Sequence, residues 1–255
     1  MKQTIIAVTN QKGGVGKTTT AINVAAQLAS KSKPVLLIDL DPQGNATSGL
    51  GLDKNVRPTS YELLTGTAPL EQVILATSRE GLYVLPANGN LAAAEIELVD
   101  AEHREFKLRE ALSEKASSFA YIIIDCPPAL GLLTINALSA AHGIIIPVQA
   151  EYYAMEGLSQ LMATFQRVKQ GMNPQLELIG VALTMYDKRL ALSDNVMAEL
   201  KGYFGERLFK TIVPRNVRLA EAPSFGKTIY EHDRWSKGAR AYKQLAKEVE
   251  KRVND

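Results

Sequence analysis

The sequence predicts an α/β fold: a doubly wound, mostly parallel sheet flanked by helices. Three observations carry that prediction. Short runs of Ile, Val and Leu lack polar alternation, as strands covered on both faces do. Segments of helical length and spacing alternate with them, the βαβα rhythm of an open sheet. The first apolar run leads directly into "NQKGGVGKTTT" (10–20), a glycine-rich turn followed by a helix-forming stretch.

Taken in order, "TIIAVTN" (4–10) is the first strand and "TTTAINVAAQLASK" (18–31) the helix after the glycines. Strands follow at "PVLLIDL" (34–40) and "LYVLPA" (82–87), then an acidic helical segment over 92–117. "YIIIDCP" (121–127) is a strand, "LLTINALSAA" (132–141) a helix and "GIIIPVQ" (143–149) a strand. The apolar stretch 129–150 is broken by Asn136, His142, Pro147 and Gln149, so it reads as a core helix and strand and not as a membrane span. A helix over 155–170 and a strand over 176–184 complete the sheet. The last helix, 236–253, places Tyr242, Leu245, Ala246, Val249 and Val253 on one stripe, with mixed charge opposite. A membrane-surface helix needs bulky aromatics against a basic face, so this one is expected to pack on the sheet.

No repeat, low-complexity linker or Pro/Gly-rich seam divides the 255 residues, and a single domain over 1–255 is expected. Hydrophobic residues make up 46% and aromatics only 6%, so aliphatic side chains must fill the core. The single cysteine, Cys126, excludes a disulfide framework and a CxxC metal site, in keeping with a reducing cytosol. The N-terminal apolar run is too short for a secretory signal. Net charge is +2, unevenly spread: residues 185–255 hold 15 Lys and Arg against 10 Asp and Glu, whereas 1–184 hold 14 against 17. His103, His142 and His232 form no pair at ligand spacing and are expected in surface or capping roles. Trp235 is expected to anchor the last helix.

The ordinary phosphate-binding loop reads G-x-x-x-x-G-K-[ST]. Here Gly16, Lys17 and Thr18 end the motif, but position 11 is Gln11 and a second lysine, Lys12, follows it. Gly13, Gly14 and Gly16 allow a tight turn whose N–H groups face phosphate oxygens, and the helix N-terminus adds to the attraction. Lys17 is then expected at the β- and γ-phosphates and the Thr18 hydroxyl on Mg²⁺. Such a loop requires carboxylates on neighbouring strand ends. Asp39 and Asp41 end one strand and Asp125 another; Asp125 best fits the Walker B position.

"KGGVGKTT", "DLDPQGNATSGLG", "YIIIDCPPALGLLTINAL", "PVQAEYYAMEGLSQL" and "PRNVRLAEAPSFGKT" together resemble the ParA/Soj chromosome-partition ATPases. These belong to the deviant Walker A group of P-loop NTPases, which also holds MinD and the nitrogenase iron protein. The resemblance covers essentially the whole chain, and the last two motifs make it specific. It implies ATP and Mg²⁺ as cofactors, ATP contacts from Lys12, Gly13, Gly14, Val15, Gly16, Lys17, Thr18 and Thr19, and an adenine pocket at Pro214 and Asn216. It implies that Lys12 reaches the nucleotide of a partner across an ATP-sandwich homodimer, with Gly13 at its tightest point. Asp41 would position the attacking water in slow hydrolysis, and Thr18, Asp39 and Asp125 would serve the metal. As in the short chromosomal type, no DNA-binding extension is expected before the first strand.

The implied output is ATP-gated binding of double-stranded DNA without sequence preference, released when a ParB-type partner stimulates hydrolysis. That places the protein in the cytoplasm, on the nucleoid. Arg189 and Arg218 match the family's DNA-contacting arginines; Lys201, Lys210, Lys227, Arg234 and Lys237 are further candidates. Two other outputs stay open: a MinD-like membrane-cycling ATPase, and a metabolic P-loop kinase or ligase. An iron–sulfur reductase is excluded, because one cysteine per subunit cannot supply four ligands.

Overall fold

The structure, a computed structural model, describes residues 3–113, 116–152 and 155–255. Glu114, the end of the acidic stretch, and Tyr153 and Ala154 of the 147–161 motif lie outside them.

In chain order the elements are β1 (Thr4–Val8), α1 (Lys17–Leu28), β2 (Val35–Asp39), α2 (Asn45–Gly49), α3 (Ser60–Leu64) and α4 (Leu70–Val73). Next come β3 (Leu75–Ala76), β4 (Leu82–Leu85), α5 (Leu91–Glu97), α6 (Lys107–Leu112), β5 (Tyr121–Asp125) and α7 (Leu132–Ala140). The chain continues through β6 (Gly143–Gln149), α8 (Glu156–Gly171), β7 (Glu177–Thr184) and α9 (Ala191–Phe204). It ends with α10 (Val217–Glu221), α11 (Ile229–Asp233) and α12 (Lys237–Asn254). Among the described residues seven strands are ordered β3-β4-β2-β5-β1-β6-β7, and of these only β3 runs antiparallel.

Strand side chains alternate between two cores, which is why the sequence shows no polar alternation. Ile6, Val8, Leu37, Ile123 and Ile145 face a core shared with α1 and α12. Ile5, Ala7, Leu36, Ile124 and Ile146 face the opposite core, shared with α7 and α8. A parallel sheet with helices on both sides leaves no solvent face to its central strands.

On α12, Tyr242, Leu245, Ala246 and Val249 are buried as the stripe predicted, and the Tyr242 hydroxyl lies 3.1 Å from the Thr20 hydroxyl of α1. Its apolar face is therefore covered. No helix among the described residues is long and apolar enough to cross a membrane.

The structure departs from expectation in three places. The acidic segment is not one helix: α5 stops at Glu97, and His103 takes a left-handed conformation (φ 53°) before a short turn and α6. Buried Asn136 enforces the break, because its side chain accepts from Leu108 N–H (3.0 Å) and donates to the Arg104 carbonyl (2.8 Å). Helices α2–α4 and α9–α11 were not expected. Trp235 does not anchor the last helix; it is 73% exposed. The His142 Nδ1 accepts from Ile5 N–H of β1 at 2.8 Å, a bond to a strand and not to a helix end.

Candidate nucleotide site

Parallel order brings the carboxyl ends of β1, β2 and β5 side by side. Val8 pairs with Asp125, and Asp125 with Asp39, so two buried carboxylates stand on adjacent strands. β1 has β5 and β2 on one side and β6 on the other, the kind of switch point where open sheets hold ligands.

The loop after β1 is built around Asn10. Its side chain accepts from Lys12 N–H (3.0 Å) and donates to the Pro147 carbonyl at the end of β6 (2.7 Å). Gly14 (φ 75°) and Gly16 (φ 87°) make the left-handed turns that lead into α1. The Thr184 hydroxyl, at the end of β7, donates to the Val15 carbonyl at 2.8 Å and fixes the loop from the other side. No side chain caps α1, and its first turn has no acidic residue, so its positive end is bare.

The two lysines point to different places. Lys17 is buried, with Nζ 2.9 Å from the Lys12 carbonyl. Burial pulls its pKa down, opposed first by the charge of Asp125. Lys12 turns outward to Glu151, 3.1 Å from its carboxylate, and both side chains are about two-fifths exposed. A Cβ at Gly13 would meet nothing within 4 Å among the described residues.

The three carboxylates are not equivalent. Asp39 is committed to protein donors: Asp41 N–H at 3.1 Å, and Thr47 N–H and hydroxyl each at 2.8 Å. Its burial still pushes its pKa up to about 6. Asp41 accepts from Gln43 N–H at 3.0 Å, while its own carbonyl accepts from Gly44 N–H at 2.8 Å. Asp125 has both oxygens buried without a hydrogen-bond partner. Burial and the nearby Asp39 hold its pKa well above the usual carboxylate range, against the Thr18 hydroxyl and Lys17. A buried carboxyl without donors, beside a threonine and the phosphate lysine, fits a hydrated Mg²⁺ reached with a nucleotide. Among the described residues no group of three His, Cys, Asp or Glu is placed to hold a metal alone. Mg²⁺ commonly takes one or two protein ligands plus phosphates and water, so the two observations agree.

Beside the loop lies a cavity of ≈ 320 Å³ whose lining includes Gly16, Thr19, Met185, Val213, Pro214, Asn216, Leu219 and Tyr242. Pro214 and Asn216 thus meet the loop, and the Asn216 Oδ1 is buried without a partner. An amide acceptor at an apolar slot suits an exocyclic amine on a flat base. Thr184, Glu151 and Tyr242 were missed by sequence reasoning. Thr184 was discoverable as a strand end; Tyr242 had no signal, since it reads as helix core.

The candidate DNA residues divide. Arg189 is paired with Asp187 (2.6 Å), which it holds well below its usual pKa. Arg218 lies 2.9 Å from Glu221 and 3.7 Å from Asp233, the residue that precedes Arg234 in sequence, with Lys237 beginning α12. Lys227 lies in the turn before α11. Lys201 is near the far end of α9 from Arg189, and the Lys210 N–H faces Glu248 of α12 at 2.8 Å.

A family model described as an AAA domain matches residues 3–178. The chain is 54% identical to the chromosome partitioning protein ParA of Myxococcus xanthus, covering 97% of this chain and 88% of that protein. It is 55% identical to the sporulation initiation inhibitor protein Soj of Bacillus subtilis, covering 96% and 97%. Among solved structures it resembles cobyrinic acid a,c-diamide synthase from Mycobacterium smegmatis with bound ADP and magnesium. There the TM-score is 0.89 and the identity 36%, over 100% of this chain and 96% of that one.

Proposed function

The chain belongs to the ParA/Soj family of chromosome-partitioning ATPases, and on that premise we propose that it is an ATP-gated dimeric switch on DNA. Its reaction is ATP hydrolysis, and its cofactors are ATP and Mg²⁺.

In the proposed cycle the whole chain acts as one domain. Residues 12–19 cradle the phosphates, with Lys17 at the β- and γ-groups, while Pro214 and Asn216 hold the adenine. Thr18 and Asp125 serve the metal, and Asp39 supports it indirectly by fixing the Asp41 backbone and Thr47. Bound Mg²⁺ would neutralise charge on the transferred phosphoryl group. Asp41 orients the water that attacks the γ-phosphorus as the bond to the bridging oxygen breaks. A carboxylate is a weak base for water at neutral pH, so unaided turnover is slow.

The single observation that best supports the dimer is the division of labour between the lysines. Lys17 is turned into its own loop, whereas Lys12 is displayed outward beside Gly13, where the protomer leaves open space. Two facing nucleotides repel at low effective dielectric, and a lysine supplied by each protomer to the other offsets that repulsion. Dimerisation brings two basic surfaces onto one duplex. A basic segment of a ParB-type partner then speeds hydrolysis and releases the dimer, which otherwise resides on the nucleoid.

The Mycobacterium neighbour's biosynthetic name favours a second reading, a metabolic ligase. The 54–55% identity to partition proteins outweighs it. The membrane reading has no support from α12, whose apolar stripe is packed on α1.

The test is DNA binding by the Asp41→Ala protein with ATP and with ADP across a salt series. Tight binding with ATP only is expected, with log K falling against log salt by about 0.9 per phosphate contacted. ATP-dependent dimers without DNA affinity at low salt would overturn the output. Hydrolysis that requires a carboxylic acid acceptor would favour the ligase.

A further inference from the structure

Trp235 is the chain's only tryptophan, and it is 73% exposed. An indole gains more from burial than almost any side chain, and here it is displayed on a rigid turn beside two cations, Arg234 and Lys237. The turn is rigid: Trp235 N–H donates to Asp233 (3.1 Å), and the Ser236 hydroxyl bridges the Asp233 carbonyl (2.8 Å) and Ala239 N–H (3.1 Å) at the start of α12. The Arg234 guanidinium lies 4.8 Å from the indole centroid. Among the described residues, neither Arg234 nor Lys237 is paired with a carboxylate, in contrast to Arg189 and Arg218. Residues 215–240 hold six Lys and Arg against three Asp and Glu.

We propose that Trp235, flanked by Arg234 and Lys237, is a DNA contact of this chain: the indole lies against sugar and base edges while the cations take adjacent phosphates. The proposal rests on the DNA-binding reading above and deepens it. A second copy of this chain is a poor occupant, because a basic patch repels itself. A lipid surface also attracts an indole among cations, but the apolar stripe of α12, the longest helix beside Trp235, is buried and not available to lie in a bilayer surface.

Salt dependence separates this contact from its neighbours. Phosphate contacts release counterions and lose strength with salt, whereas an aromatic contact does not. Trp235→Ala should therefore weaken ATP-dependent DNA binding at every salt concentration by about tenfold, the loss expected for one large apolar side chain's burial, without changing the slope of log K against log salt. Arg234→Ala should lower that slope by about two, one phosphate contact being lost from each protomer of the bound dimer.

The experiment uses the Asp41→Ala background, a blunt-ended labelled duplex followed by anisotropy, and the intrinsic emission of Trp235. Emission should change on adding DNA with ATP and not with ADP, and Trp235→Phe should recover most of the affinity lost in Trp235→Ala. ATP-dependent binding of equal affinity in Trp235→Ala would overturn the inference and leave the DNA reading standing. No ATP-dependent binding in the parent protein would remove both. A blue shift with phosphatidylglycerol vesicles, and none with DNA, would overturn it in favour of a membrane contact.

Discussion

Asp125 shows most sharply what a single residue contributes, because ionising it without a donor is costly. A carboxyl whose folded pKa exceeds its unfolded value binds more protons folded than unfolded between the two. Its stabilising effect is full below the unfolded value and is lost as pH rises through the folded one. For Asp39 that window runs from its ordinary value of 3.8 to about 6; for Asp125 the upper edge also lies well above 3.8. The nucleotide-free protein should lose stability as pH rises through this range. Asp125→Asn should reduce the loss, so that stability changes less between pH 5 and pH 7.5 in the variant than in the parent. Urea unfolding at pH 5 and pH 7.5 checks both points, and an undiminished loss in the variant would count against a costly charge. The sequence reading named all three aspartates, because each follows an apolar run. It did not separate Asp39, held by Thr47, from Asp125, whose carboxylate has only the Thr18 hydroxyl and Lys17 acting on it, because which strand end the Thr47 donors meet is set by how the chain folds back after β2.

At the scale of elements, the segment after Asp41 is threaded between α1 and the C-terminal block through glycines. A Cβ on Gly49 would lie 2.9 Å from Ile22 of α1. A Cβ on Gly226, itself at φ 61°, would lie 2.5 Å from the Gly51 Cα. Gly226→Ala therefore meets both left-handed strain and a backbone clash, and should cost about 2–4 kcal/mol in chemical denaturation. A loss below about 0.5 kcal/mol, within the range of an ordinary surface change, would mean the two turns separate freely. The long apolar strands, the helices α1, α8 and α12, and the nearly all-apolar α7 were legible to within a few residues. Helices α2, α3, α10 and α11, of five residues each, were not, since such short segments have no period to read and are held by contacts made elsewhere. The acidic segment failed for a related reason: Asn136, far away in the chain, breaks it.

At the scale of the whole molecule, the dimer is the unit the proposal concerns. Lys12→Ala should still bind ATP, since Lys17 remains, yet fail to dimerise with it. Gly13→Val should keep the monomer's stability within about 0.5 kcal/mol, as an unhindered surface change does, and also fail to dimerise. Sedimentation with ATP reads both, and a normal dimer from either variant would remove the trans role of that loop. The sequence by itself determined the sheet, the phosphate loop and the family, because these reside in local runs: apolar strands, glycines before a lysine, a carboxylate at a strand end. Tertiary structure alone decided the register that sets Asp39 beside Asp125, the slot that joins Asn216 to the loop, and the exposure of Trp235. Each of these depends on which distant segments pack together, and packing energies belong to pairs of surfaces that no local window contains.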